Sequence, residues 1–478
     1  MKISNAQGRR MPPLRRRLPY VFAAFSLALA THAPTADRVF GGTLAEAARR
    51  PNVVLIMADD FGYECVTANG GESYSTPNLD RLAAGGMRFT NCYVQPLCTP
   101  TRVQLMTGLY NVRNYIRFGL LDPEAVTFGH LMKKAGYATG IAGKWQLGQG
   151  KELPQQFGFD ESYLWQHTRR PPRYANPGLE KNGVEEDYTN GEYGPTLVND
   201  FALDFFARHK DEPFFLYYPM ILTHSPYQPT PDSPNYDPKA EGEKVNQNAK
   251  HFADMTAYMD KLVGRLTTKL DELKIRENTL VIFIGDNGTG AGHMSQFQGK
   301  PYRGGKGSTT AHGMHVPMIV NQPGAVPAKV CDDLVASVDF LPTICEAAGA
   351  TASKLSGPAA TAGDGRSFYP QLRGETGSPR ENYYCWYAPD GGPTGIEFAA
   401  TAGRKLYRDG RYINLETDLE EKNPTPEKEL TGAEAETAAR LHKALDQYAD
   451  ARPEHLLKQP GGPKNKRAGL PAKPEAGK

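Results

Sequence analysis

Unbroken apolar runs closed by small or polar residues mark the strands of this chain. Val53-Val54-Leu55-Ile56-Met57-Ala58, Phe214-Phe215-Leu216-Tyr217-Tyr218 and Leu280-Val281-Ile282-Phe283-Ile284 carry no polar position at all. A strand without alternation is buried on both faces, which is the habit of a parallel sheet covered by helices. Further strands are predicted over 87–93, 137–142 and 315–320. Helices are predicted after the Thr76-Pro77 start with its Gly85-Gly86 stop, over 127–134 and over 338–348. Residues 254–273 place Met255, Met259, Leu262, Leu266, Leu270 and Leu273 on one helical face. Residues 166–195, rich in Arg, Pro, Tyr, Asn and Gly, read as an irregular excursion over the sheet. From about Gly374 the pattern changes to short strand-like pieces at 383–387 and 405–415 and a helix at 433–449. The expected fold is therefore α/β. A large mixed, mostly parallel sheet is sandwiched by helices and carries a smaller C-terminal antiparallel subdomain. The corresponding division is 1–36 export signal and leader, 50–373 catalytic domain, 374–457 small subdomain and 458–478 basic tail.

The two ends change the charge picture. Arg9, Arg10 and Arg15 to Arg17 precede an apolar run over 18–30 that ends in Ala28-Leu29-Ala30, the layout of a cleavable export signal. The run is short for a bilayer span, which argues against stable membrane insertion. A periplasmic or secreted location is expected. The whole chain of 478 residues has a formal charge of +2, but the basic ends hide an acidic body carrying about −9 over 31–457. Nucleic acid is therefore not an expected partner, and any anionic substrate must be drawn in by a local cation-lined pocket. The six cysteines match no zinc spacing and suggest no disulfide pairing.

Candidate chemistry gathers at strand ends. Leu97-Cys98-Thr99-Pro100-Thr101-Arg102 reads as a helix start with Thr99 as N-cap and Pro100 in the first helical position. Cys98 then sits just ahead of a helix N-terminus that favours an anion, and Arg102 adds a forked cation one turn on. Asp59-Asp60 ends the first apolar strand, and Asp286-Asn287 ends the third. Either pair alone reads equally well as a solvated turn. Together they make a hard, all-oxygen set suited to Ca²⁺ or Mg²⁺ and not to zinc, at the strand edge where open α/β sheets bind ligands. Lys144 follows a strand in Gly143-Lys144-Trp145-Gln146, and His224 follows another. Lys306 lies in a glycine-rich loop.

Cys98-x-Pro100-x-Arg102 followed by Thr107-Gly108, in order with these motifs across 51–415, resembles the formylglycine-dependent sulfatases of the alkaline-phosphatase-like superfamily. The resemblance implies that Cys98 is oxidised to formylglycine (3-oxoalanine) by a formylglycine-generating enzyme. It implies that Asp59, Asp60, Asp286 and Asn287 hold calcium together with the modified Cys98, and that Arg102 positions the aldehyde hydrate. Lys144, His224 and Lys306 would hold the sulfate oxygens or the leaving oxygen. The implied reaction is hydrolysis of a sulfate ester of a sulfated small molecule or glycan. One hydroxyl of the hydrate attacks sulfur, and sulfate is then eliminated to restore the aldehyde.

Two departures from that pattern stand out. Gln146 occupies a place where the family carries a histidine thought to help regenerate the aldehyde, and glutamine has no proton equilibrium near neutral pH. After Lys306, Ala311, His312, Gly313 and His315 stand where the family commonly shows Glu-Gly-Gly and an arginine. Two rival activities therefore stand beside the sulfatase. One is a phosphonate or phosphate ester hydrolase using the same modified residue. The other is a sulfoglycan-binding protein with impaired turnover.

Overall fold

The computed structural model describes residues 50–239, 249–349 and 363–458. The expected export signal and leader (1–36) lie outside the described residues, as does the basic tail beyond its first residue. The large sheet contains β1 (Asn52–Ala58), β2 (Met87–Tyr93), β3 (Ala138–Gly143), β4 (Glu161–Trp165), β5 (Gly178–Lys181), β6 (Val184–Asp187), β7 (Phe214–Pro219) and β8 (Thr279–Gly285). A separate hairpin, β9 (Met294–Phe297) and β10 (Lys300–Arg303), precedes the last two strands of the large sheet, β11 (Met318–Asn321) and β12 (Lys329–Ala336). The ten strands run in the order β12-β2-β11-β8-β1-β7-β3-β4-β5-β6. Pairing is parallel from β8 through β1, β7 and β3 to β4, and between β2 and β12. β11 runs antiparallel between β8 and β2, and β5 and β6 close the far edge antiparallel. The expected mixed, mostly parallel sheet is present.

Seven helices of seven or more residues carry labels here: α1 (Pro77–Ala84), α2 (Cys98–Thr107), α3 (Phe128–Lys134), α4 (Gly194–Arg208), α5 (Ala249–Glu272), α6 (Phe340–Ala347) and α7 (Gly432–Asp446). α1 to α6 sandwich the large sheet, whose strand β1 sends alternate side chains to opposite faces, while α7 packs on a second, smaller sheet. Val53, Leu55 and Met57 pack with Val103 and Met106 of α2, Leu131 of α3 and Ile344 of α6. Val54, Ile56 and Ala58 pack with Leu79 of α1, Phe205 of α4 and Leu262 of α5. Burying each of the larger side chains contributes roughly 1.5–3 kcal/mol, and this two-sided demand explains why β1 has no polar position after Asn52.

A second, antiparallel sheet contains β13 (Tyr383–Tyr387), β14 (Ile396–Ala400), β15 (Arg404–Tyr407), β16 (Arg411–Asn414) and β17 (Thr425–Pro426). Its core is continuous with that of the large sheet. The Tyr383 ring stacks on Tyr93 at 4.9 Å, Cys385 Sγ donates to Gln95 Oε1 at 3.4 Å, and Arg380 Nε donates to Asp339 Oδ2 at 2.7 Å. The small sheet thus braces the segment that leads into Cys98.

Two local expectations need correction, and one strand lies outside the sequence expectations. α2 begins at Cys98 itself with Leu97 at the N-cap position, and Thr99 is not the cap. Its hydroxyl instead accepts the Gly119 amide at 3.1 Å and donates to the Gln146 carbonyl at 3.4 Å. The segment 166–195 is not wholly irregular, because it contains the β5–β6 hairpin. Asn182 (φ 49°) and Gly183 (φ 83°) turn that hairpin, and both residue types tolerate positive φ. The last strand before the small sheet, β12, carries Lys329, Asp332 and Asp333 and a register shift between Cys331 and Leu334. Those charges hide it from a hydrophobic reading.

Candidate active site

Because β1, β3, β7 and β8 are parallel neighbours, their carboxyl ends deliver side chains to one edge of the sheet. Ala58 is opposite Gly285, so Asp59 and Asp286 leave adjacent strands at the same level. Asp60 adopts φ 61°, rare for a residue with a side chain, and its amide donates to Asp286 Oδ1 at 2.9 Å. Its carboxylate accepts Asn287 Nδ2 at 2.9 Å and Lys306 Nζ at 2.5 Å. Gly143 has φ 126°, and a Cβ there would stand 1.9 Å from the Pro219 carbonyl oxygen. Only glycine lets β3 pass this close to β7. Lys144, the next residue, reaches Asp59 with Nζ at 2.7 Å and 3.0 Å from its two oxygens.

Arg102 is fully buried on α2. Its Nη1 donates to the Lys144 carbonyl at 2.8 Å and its Nη2 lies 3.2 Å from Asp286 Oδ2. Nε makes no hydrogen bond. Arg102 therefore joins α2 to two strand ends. Cys98 Sγ and one carboxylate oxygen from each of Asp59 and Asp286 lie within 4.8 Å of one another. One ligand atom each from Asp59, Asp60 and His224 does the same. His224 Nε2 is 3.8 Å from Asp60 Oδ2, and its Nδ1 is 2.6 Å from the Ser225 carbonyl.

Gln146 is the exception in this gathering. Its backbone accepts from Thr99, but its amide makes no hydrogen bond among the described residues and lines a small cavity with Trp145, Trp165, His167 and Arg170. Of the residues departing from the sulfatase pattern, His315 is a packing residue. It stacks on Tyr63 at 4.0 Å and on Tyr93 at 5.0 Å, with Nε2 2.8 Å from the Thr90 carbonyl. His312 packs on Tyr302 at 4.2 Å. The structure adds Arg173, unnoticed in the sequence, whose Nη1 comes within 3.3 Å of His224 Nδ1. The only linear hint of it is the basic, proline-rich run Arg169-Arg170-Pro171-Pro172-Arg173.

The charges are strongly coupled. Burial alone would raise the Asp59 carboxyl, but Lys144, His224, Arg102 and Lys306 outweigh it and hold it well below the usual range. Burial and then the Asp59 charge push Asp286 up to about 7, despite Arg102. Burial pushes the Cys98 thiol upward, and nearby Lys144 and Lys306 do not reverse it. As an unmodified thiol it is therefore a poor nucleophile. Burial, with repulsion from Lys306, lowers His224 to about 3.

A hard divalent cation fits the oxygen set. Asn287 Oδ1 is buried and accepts no hydrogen bond, although its Nδ2 is fully engaged. Asp286, whose pKa burial and then the Asp59 charge raise to about 7, would ionise readily beside such an ion.

Buried carboxylates ringed by lysines and arginine stand at the carboxyl edge of an α/β sheet, where such sheets bind ligands and where the cations suit a tetrahedral oxyanion. The comparisons give the class of protein. A sulfatase family model matches residues 51–350. Human arylsulfatase A is 34% identical over 383 residues, 71% of each chain. Dog N-acetylgalactosamine-6-sulfatase is 31% identical over 377 residues, 71% of this chain and 69% of its own. The crystal structure of Ps i-CgsB superposes with a TM-score of 0.70 at 26% identity, covering 85% of this chain and 94% of that one. The chain belongs to the sulfatase family and is a sulfuric ester hydrolase. Among the described residues, no helix is long and apolar enough to cross a membrane.

Proposed function

We propose that this chain is an exported, formylglycine- and Ca²⁺-dependent sulfatase that cleaves a sulfate ester on a saccharide. The observation that carries the reading is Cys98 beside Asp59 and Asp286, inside a ring formed by Lys144, Lys306 and Arg102. The saccharide is supported by the relative named for N-acetylgalactosamine 6-sulfate chemistry and by a solved relative in complex with k-i-k-neocarrahexaose.

Asp59, Asp60, Asp286 and Asn287, with residue 98, would hold the cation, which lowers the pKa of a coordinated hydroxyl and neutralises charge on bound oxygens. Formylglycine at residue 98 would supply, as its hydrate, an oxygen nucleophile that the buried thiol is not. Arg102 fixes Asp286 and the Lys144 carbonyl, so α2 carries residue 98 in register with the strand ends. Lys144 and Lys306 are held by carboxylates and need little reorganisation to meet charge developing on sulfate oxygens. His224 faces the same space. An incoming sulfate adds negative charge that raises its imidazole pKa, preparing it to give a proton to the leaving oxygen. The formylglycine-generating enzyme would be the partner during maturation.

Gln146 supports a second reading. Without a base at this position the protein would bind its saccharide and stall after one turnover. The test is to co-express the chain with a formylglycine-generating enzyme, measure the mass of the peptide spanning Cys98, and follow 4-nitrophenyl sulfate against an aryl phosphonate ester. An aldehyde mass with repeated sulfate turnover supports the proposal. An unmodified thiol or a strong phosphonate preference overturns it, and a single burst favours the stalled binder.

A further inference from the structure

The loop joining β4 to β5 carries three arginines with different fates. Arg169 pairs with Asp187 at 2.8 Å and Glu185 at 3.0 Å. Arg173 lies over the Trp165 ring at 4.0 Å and reaches His224. Arg170 is exposed and has no hydrogen bond or ion pair among the described residues. It adopts φ 56° immediately before Pro171, a conformation rare for side-chain-bearing residues and further disfavoured by the following proline.

Arg170 nevertheless lies beside residues that neighbour the catalytic side chains in two places. Its Nη2 lies 3.8 Å from the point where a Cβ on Gly119 would stand, and the Gly119 amide donates to Thr99, the neighbour of residue 98. It shares one small cavity with Gln146 and His167. It shares a second, of about 170 Å³, with Trp165, Arg173 and Pro226, two residues past His224. An unpaired guanidinium thus stands between Gln146 and the His224 side of the pocket, on a body with a net charge of about −9 over 31–457.

We propose that Arg170 is a specificity-determining residue that grips a second anionic group of the substrate, a sulfate or a carboxylate, while the scissile sulfate lies at residue 98. The proposal rests on the sulfatase reading of that pocket. A guanidinium offers two parallel N–H groups to either oxyanion. Arg169 and Arg173 are occupied and hold the loop, leaving Arg170 free for a ligand. A substrate with only the scissile sulfate would gain nothing from it.

The test compares wild type, Arg170→Gln and Arg170→Lys on 4-nitrophenyl sulfate, on matched hexoses bearing one or two sulfates, and on a monosulfated hexose linked to glucuronate. Arg170→Gln should raise KM for the doubly anionic sugars about ten- to a hundredfold and leave the aryl sulfate within about twofold, with Arg170→Lys between. Whether the disulfate or the glucuronate responds more identifies the group held. Equal shifts on every substrate, or none on the dianions, overturn the proposal. Calorimetric titration of the same sugars into protein whose Cys98 remains a thiol gives an independent reading. Dianion preference that survives Arg170→Gln there also overturns it. Failure of the sulfatase reading would show differently, as matured wild type turning over no sulfate ester while the calorimetric comparison still decides the role of Arg170.

Discussion

Lys144 Nζ sits between both oxygens of Asp59, 2.7 Å and 3.0 Å away, with both side chains buried. Neither charge has solvent to fall back on, so each depends on the other.

Lys144→Met should therefore do two things. It should lower kcat about 100- to 1000-fold by removing a donor from the sulfate pocket, and it should destabilise the metal-free protein by up to about 3–5 kcal/mol by removing the nearest cation from Asp59. Adding Asp59→Asn should return much of the stability but none of the activity. Urea unfolding and steady-state kinetics on the four proteins of this cycle check both parts. A Lys144→Met protein as stable as wild type would show that Asp59 does not need its ammonium partner.

Chelation tests the cation. Dialysis against EGTA should abolish turnover, with Ca²⁺ restoring it better than Mg²⁺, because Mg²⁺ gives up its waters reluctantly to a site that supplies this many protein oxygens. Asn287→Leu removes the buried Oδ1 that lacks a partner, and should weaken Ca²⁺ binding at least about tenfold by calorimetry. Full activity in EGTA would end the metal assignment.

Gln146→His introduces a titratable group at φ 54°, a region that histidine enters more readily than most residues. If aldehyde regeneration limits turnover, kcat should rise about ten- to a hundredfold, within the usual range for acid–base help, while the size of any pre-steady-state burst stays the same. An unchanged kcat would place the slow step elsewhere.

Glu180 on β5 is buried with neither carboxylate oxygen hydrogen bonded, and His167 Nδ1 lies 3.6 Å away, also without a hydrogen bond. Burial, then the Glu185 charge, raises Glu180 from 4.5 to about 7. Below the lower value both folded and unfolded chains hold the proton. As pH climbs from there to about 7, the unfolded chain releases it first and folding loses support. Glu180→Gln should therefore leave stability at pH 5 nearly unchanged and add about 1–3 kcal/mol at pH 8. Urea midpoints at the two pH values decide it, and an equal difference at both would refute the shift.

Much of this site is written in the linear sequence because parallel strands end where chemistry begins. Asp59-Asp60 and Asp286-Asn287 each follow an apolar run, so their convergence needed only the strands to be neighbours, and Ala58 opposite Gly285 makes them so. Arg173 beside His224 was not legible, because the contact joins loops 51 positions apart. The β5–β6 hairpin was missed since its strands are short and charged, although Asn182-Gly183 is the dipeptide such a turn favours. Thr99 was misassigned as a cap because its hydroxyl serves Gly119 and the Gln146 carbonyl, a demand set by distant chain segments.

The margins of the large sheet bear on how this protein avoids pairing edge to edge with another copy. One outermost strand, β6, shows Glu185, Glu186 and Asp187 in succession, and the other, β12, combines Asp332 and Asp333 with a slip in register. Charged side chains along β6, two of them already engaged by Arg169, disfavour a second strand laid alongside, and a broken ladder on β12 offers no regular template to a stray strand. The same acidic, irregular borders that obscured these strands in the sequence thus guard the sheet against self-association into filaments.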